Sequence, residues 1–146
     1  IDDLHERAGS TRLIHMHGEL LKVRCEQCDR IWSETGEIST ETACPHCGKT
    51  GGVRPHIVWF GEVPLMMDEI FDAIDRCSLF AAIGTSGNVY PAAGFVERAR
   101  SNGGTHTIEL NLEPSVGASR FADAAYGPAT EVVPAWVDRL LGTGAD

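Results

Sequence analysis

Leu79-Phe80-Ala81-Ala82-Ile83-Gly84-Thr85-Ser86-Gly87 is the stretch on which the fold turns. Five apolar residues in a row, with no polar alternation, describe a strand covered on both faces, as in a parallel sheet between helices. The Gly-Thr-Ser-Gly that follows is loop chemistry at the carboxyl end of such a strand. Upstream, Met67, Ile70, Phe71, Ile74 and Cys77 recur at helical spacing, and Cys77 reads as a buried small hydrophobe of that helix. Downstream, Pro91 suits the first turn of a helix carrying Phe95, Val96 and Ala99, stopped by Asn102-Gly103-Gly104. Thr105–Leu110 reads as the next strand. Residues 118–125 read as a weaker helix, residues 130–133 as a short strand, and Pro134 as the start of a last helix with Trp136, Val137, Leu140 and Leu141 inward and Gly142 at its end. Strand, helix, strand, helix, strand is an α/β layout with right-handed crossovers. Three parallel strands make up part of a doubly wound, Rossmann-like sheet.

The amino-terminal third follows other rules. Cys25, Cys28, Cys44 and Cys47 form two C-x-x-C pairs separated by fifteen residues. Each pair sits on a tight turn, and together they offer the four-sulfur tetrahedral shell that zinc prefers. Two disulfides or a rubredoxin-type iron are the other readings of the same pattern. The stretch from Lys22 to Val53 is too short and polar to bury a core of its own, so ligation would hold it. A complete S₄ shell leaves no open coordination position, making one zinc per chain structural. The resulting division is a zinc-binding module at 20–53, entered through Leu20–Arg24 and left through a strand at Val53–Phe60. It is inserted in a partial catalytic domain made of 1–19 and 54–146.

The 146 residues carry a formal net charge of -9, and 42% are hydrophobic. The only lysines are Lys22 and Lys49, and the arginines are scattered, so no concentrated basic face exists for phosphate backbones. Nucleic-acid binding is not expected, and an acidic surface suits lysine-rich peptides instead. No apolar run reaches membrane-spanning length, and none reads as a signal peptide. The expectation is a cytoplasmic protein with reduced thiols. The chain opens Ile-Asp-Asp-Leu-His without an initiator methionine, as a processed chain or a fragment would.

Ligands of open α/β sheets lie beyond the carboxyl ends of the strands. Two loops occupy that position. Gly84, Thr85 and Ser86 combine backbone freedom with hydroxyls suited to a phosphate or ribose. Asn111, Leu112 and Glu113 follow the next strand, where a carboxylate accepts hydrogen bonds from ribose hydroxyls. Each also reads as an ordinary turn or solvated strand end, and no Gly-x-Gly-x-x-Gly is present. His15-Met16-His17-Gly18 holds the best candidate for a general base, imidazole being a proton acceptor near neutrality. Gly18 would let another chain or a ligand approach closely. Val58-Trp59-Phe60-Gly61-Glu62 offers an extended edge with aromatics for a docked peptide, or ordinary core aromatics before a glycine turn.

Taken together and in order, these motifs resemble the sirtuins, NAD-dependent protein lysine deacylases, over almost the whole chain. Ile1-Asp2 resembles the end of the family's Gln-Asn-Ile-Asp motif, His17-Gly18 its catalytic-base motif, and the four cysteines its structural zinc site. Val58–Glu62, Gly84-Thr85-Ser86, Val89-Tyr90-Pro91 and Asn111-Leu112-Glu113 then follow in the family's sequence. The wording is nearest to the bacterial class III branch, which includes deacetylases that also remove acidic acyl groups such as succinyl. The resemblance implies His17 as the base that deprotonates a ribose hydroxyl once the acyl-lysine oxygen has attacked the sugar carbon, leading to nicotinamide, O-acyl-ADP-ribose and free lysine. It implies Ile1 and Asp2 at the nicotinamide pocket, Gly84, Thr85 and Ser86 on the ribose-phosphate portion, and Asn111, Leu112 and Glu113 on the adenosine ribose. Ala129 would lie near the adenine. Val58, Trp59, Phe60, Gly61 and Glu62, with Val89 opposite, would sandwich an acylated lysine peptide. The family's first glycine-rich loop and the class III Tyr-x-x-Arg pair belong upstream of Ile1. These 146 residues alone are therefore expected to bind NAD poorly and not to turn over. The other classes are a non-catalytic zinc ribbon that docks a peptide on an α/β scaffold, and a nucleotide-binding regulator without the reaction.

Overall fold

Two antagonistic hydrogen-bonding patterns divide the molecule. A computed structural model describes residues 1–143, and the chain forms two compact units, Ile1–Ile70 and Phe71–Asp146. The first is antiparallel. A single short turn of helix, α1 (Leu4–Arg7), precedes β1 (Gly18–Cys25), β2 (Ile31–Ser33) and β3 (Val53–Ile57), in sheet order β2-β1-β3. Val23 is buried between its neighbours, while a bulge between Glu19 and Val23 turns Leu20 and Leu21 to solvent. The expected strand at Val53–Phe60 ends at Ile57: the Val58 amide makes one last bond in register, to the His17 carbonyl, and the chain then turns at Trp59–Glu62. The ladder also dictates Gly18. Its φ is +85°, and a Cβ there would lie 2.7 Å from the Ile57 Cα and closer still to the His56 carbonyl oxygen. What approaches Gly18 is the chain's own β3, rather than a ligand.

The second unit is parallel. The helix α2 (Met67–Asp75) crosses from one unit into the next, followed by β4 (Leu79–Ile83), α3 (Phe95–Ser101), β5 (His106–Asn111), β6 (Asp123–Tyr126) and α4 (Ala129–Leu141). The sheet order is β4-β5-β6, with Leu79 to Ile83 paired in register with His106 to Leu110. Central β5 buries Thr107, Ile108, Glu109 and Leu110. Phe95, Val96 and Ala99 of α3 are buried as their spacing requires, and the Phe71 ring meets Phe95 edge to face at 6.1 Å. Strand β4 lies at the edge of this sheet, with Leu79 to Ala82 half-buried and Ile83 exposed, so it is not covered on both faces as expected.

The carboxyl-terminal end departs from expectation. The helix expected at 118–125 shrinks to one 3₁₀ turn, Ala118–Arg120, and the strand is Asp123–Tyr126, paired with Ile108–Asn111. Residues 130–133 are helical, within α4, and Pro134 lies inside that helix instead of opening it. A proline there removes one i→i−4 bond, and the Thr130 carbonyl it strands is on an exposed residue. Gly142 ends α4 in the left-handed conformation, as expected. Trp136 and Val137 are half-buried, but Leu140 and Leu141 are exposed at 55% and 68%. Cys77 lies just past α2, half-buried, with its amide on the Ile74 carbonyl.

Candidate functional site

The two cysteine pairs fold as copies of one knuckle. In the first, the Cys25 amide bonds the Arg30 carbonyl, the Asp29 amide bonds the Cys25 carbonyl, and the Gln27 amide points at Cys25 Sγ. In the second, Cys44 bonds Lys49, Gly48 bonds Cys44, and the His46 amide points at Cys44 Sγ. The residue after each second cysteine is left-handed: Asp29 with φ 57° and Gly48 with φ 72°. All four sulfurs lie within 4.8 Å of one another, with Cys25–Cys47 at 3.8 Å and Cys28–Cys44 at 3.7 Å. Zinc–sulfur bonds of about 2.3 Å in a tetrahedron put sulfurs about 3.8 Å apart. The cluster therefore fits zinc, and the same separations exclude disulfides in this arrangement. Amide donors on the sulfurs stabilise thiolates.

His17 ends a tight turn, in which the Gly18 amide bonds the His15 carbonyl, and its side chain is exposed. The turn's carbonyls do structural work. His17 O accepts the Val58 amide at 3.0 Å and Met16 O accepts the Leu65 amide at 2.8 Å, so residues 58–65 hang alongside the candidate base. Ile1 is tied to the start of β1 through its carbonyl and the Leu20 amide, and Asp2 accepts the Leu4 amide at the head of α1. That hydrogen bond holds the Asp2 carboxyl below its ordinary range. Ile1 and Asp2 line a cavity of about 230 Å³ with Asp3, Glu6, Glu19 and Lys22.

Of residues 58–62, Phe60 is fully exposed and Trp59 half-exposed, whereas Glu62 turns inward. Arg54, 6% exposed, grips the Glu62 carboxylate in bidentate fashion at 2.6 and 3.0 Å. Glu62 also accepts the Trp59 amide at 2.9 Å, and the Arg54 guanidinium stacks 3.4 Å from the Trp59 ring centre. Arg54 and the Trp59 amide hold the Glu62 carboxyl down to about 2, against an ordinary 4.5. A depressed acid stabilises the fold above its unfolded value and loses that contribution as pH falls through its folded value. We therefore expect Glu62→Gln to lower the urea midpoint at pH 7. The gap between parent and variant should close as pH falls from 4.5 towards about 2. Tryptophan fluorescence during urea unfolding measures it; a pH-independent gap would refute the clamp.

In the parallel unit the two loops beyond β4 and β5 meet. Gly84, Thr85, Ser86 and Asn88 face Asn111, Leu112, Glu113, Pro114, Ser115 and Val116 across an open crevice of about 360 Å³. Asn111 stitches the walls, donating to the Thr85 carbonyl at 2.8 Å and accepting the Leu112 amide. Its carboxamide gives one N–H and one acceptor interaction to the protein, and it lines the crevice with the exposed Glu113 carboxylate and the Thr85 and Ser86 hydroxyls. Ala129 opens α4 and Val89 precedes the 3₁₀ turn at Ala92–Gly94; both are exposed and outside the lining of that crevice. The sequence reading missed Arg54 and Glu109. Their only signal was a charge lying within a strand pattern.

The model of the Sir2 family matches residues 1–91. An NAD-dependent protein deacylase of Caulobacter vibrioides is 59% identical over 141 residues, which are 97% of this chain and 59% of that protein. The NAD-dependent protein deacylase of Escherichia coli K12 is 57% identical over 141 residues, 97% of this chain and 50% of its own. The chain therefore spans between half and three-fifths of the length of these relatives. Among solved structures, a mutant Sir2 homologue in complex with ADP-ribose superposes with a TM-score of 0.86 at 31% identity, covering 100% of this chain and 60% of that one. A Sir2 homologue in complex with NAD gives 0.85 at 32% identity, covering 96% and 55%. Sir2Tm bound to a propionylated peptide gives 0.78 at 26% identity, covering 97% and 61%.

Proposed function

This chain belongs to the Sir2 family, and from that premise we propose that it is part of an NAD-dependent protein lysine deacylase acting on acyl-lysine, with acetyl and succinyl as the acyl groups to test. The observation that carries this reading is the suspension of residues 58–65 from the carbonyls of Met16 and His17. One turn thereby sets an exposed imidazole beside residues 58–62, which are not the extended edge expected but a turn closed by the Glu62 amide on the Trp59 carbonyl, with Trp59 and Phe60 open to a peptide.

NAD, when bound, supplies the electrophilic ribose carbon. Its adenosine side suits the crevice, whose exposed Glu113 and Thr85 and Ser86 hydroxyls are the donor and acceptor set that ribose and phosphate require. We assign Gly84, Thr85 and Ser86 to the ribose-phosphate portion, Asn111, Leu112 and Glu113 to the adenosine ribose, Ala129 to the adenine, and Ile1 and Asp2 to the nicotinamide end. His17 takes the proton from the ribose hydroxyl. Val58 to Gly61 and Val89 flank the peptide, with Glu62 holding its wall in place. The zinc module at 20–53 is an insertion between 1–19 and 54–146 and has a structural role. No helix of the described residues is long and apolar enough to cross a membrane, and we place the protein in the cytoplasm.

The test is nicotinamide release by the complete protein given NAD with acetyl-lysine or succinyl-lysine peptides. Release coupled one-to-one to deacylated peptide is expected, with none from these 146 residues alone. A complete protein that binds acyl peptide without consuming NAD would sink the enzyme reading.

A further inference from the structure

The parallel sheet buries a carboxylate. Glu109, in the middle of β5, is 1% exposed. Its Oε2 accepts the Tyr126 hydroxyl at 2.9 Å and the Ser115 amide at 3.4 Å, while Oε1 is buried without a hydrogen-bond partner. Burying a charged or polar acceptor with half its capacity unused is unfavourable. An apolar residue would serve this strand position better if packing were its whole task. What Glu109 holds explains its presence. Ser115 belongs to the loop that forms one wall of the crevice, together with Leu112, Glu113 and Val116. The Ser115 hydroxyl accepts the Gly117 amide at 3.1 Å, and a Cβ added at Gly87 would lie 3.2 Å from it. The opposite wall, residues 84–88, thus closes directly onto Ser115.

We propose that Glu109 is the positioning residue of the nucleotide crevice: through Ser115 and Tyr126 it sets the height of the loop carrying Glu113 and the spacing between the two walls. The proposal rests on the nucleotide reading above. It predicts an effect on cofactor affinity alone, because Glu109 touches neither the base nor the peptide wall.

The experiment uses the complete protein. Glu109→Leu should raise KM for NAD and Kd for ADP-ribose about tenfold, the factor expected from losing its two hydrogen bonds, with kcat and peptide KM within about twofold. Glu109→Gln retains an oxygen that accepts both donors and should stay near the parent. Tyr126→Phe, which removes one donor, should fall between. Should Glu109→Leu fail to fold, Tyr126→Phe decides, and an unchanged ADP-ribose Kd there overturns the proposal. A Glu109→Leu protein that loses thermal stability but keeps its ADP-ribose Kd overturns it also, as does an equal rise in peptide KM. If the unsubstituted protein itself fails to bind ADP-ribose, the nucleotide reading falls and takes this proposal with it.

Discussion

Replacing His17 by Ala in the complete protein should lower deacylation by about two to four powers of ten, the range supplied by a positioned general base, while peptide and NAD still bind. The clean separation follows from the geometry. The imidazole is exposed and holds nothing in place; the structural work at position 17 is done by the carbonyl, which alanine keeps. Nicotinamide release at saturating substrates reads the chemical step, and titration calorimetry with acyl peptide reads binding. Activity within tenfold of the parent would mean that the proton is taken elsewhere. A module that only docked peptides would be indifferent to the substitution.

Loss of the metal is the second large effect. Structural zinc is worth roughly 10–16 kcal/mol in finger peptides, far more than the hydrogen bonds of three short strands supply. Cys25→Ser or Cys44→Ser should release the ion and unfold residues 20–53. Cys25 is also the last residue of β1, the strand that begins at Gly18 immediately after the candidate base. Disorder in the module therefore reaches His17 along a single strand, and turnover should fall even though no ligand touches substrate. Metal analysis should return about one zinc per chain, unaffected by reductant; substantially less after gentle purification would refute the site. Far-UV circular dichroism before and after chelation measures the structural loss.

The four ligands were legible because the signal is local: two residues between cysteines fix a knuckle whatever surrounds it. Strand β4 and the loop after it were legible for a similar reason, since an unbroken apolar run ending in Gly-Thr-Ser has few other folds. The carboxyl-terminal elements were not. Asp123–Tyr126, rich in alanine, is a strand only because Ile108–Asn111 offers it a ladder, a long-range partner that local propensity does not register. Pro134 argued for a helix start, yet α4 runs through it because Pro128 already caps the amino end. Arg54 and Glu109 escaped notice since charged residues ordinarily face water; each is buried here against groups of a neighbouring loop, Arg54 on the Glu62 carboxylate and Glu109 on the Ser115 amide. Gly18 was seen to need space, but its neighbour is β3.

The two carbonyls that carry residues 58–65 have an evolutionary consequence. Main-chain acceptors are indifferent to side-chain identity, so the separation between position 17 and residues 58–65 does not depend on which side chains those residues carry. Trp59, Phe60 and Val63 are all at least half-exposed and free to drift. Substitutions at these exposed positions can therefore change the face of the loop without moving its attachment beside His17.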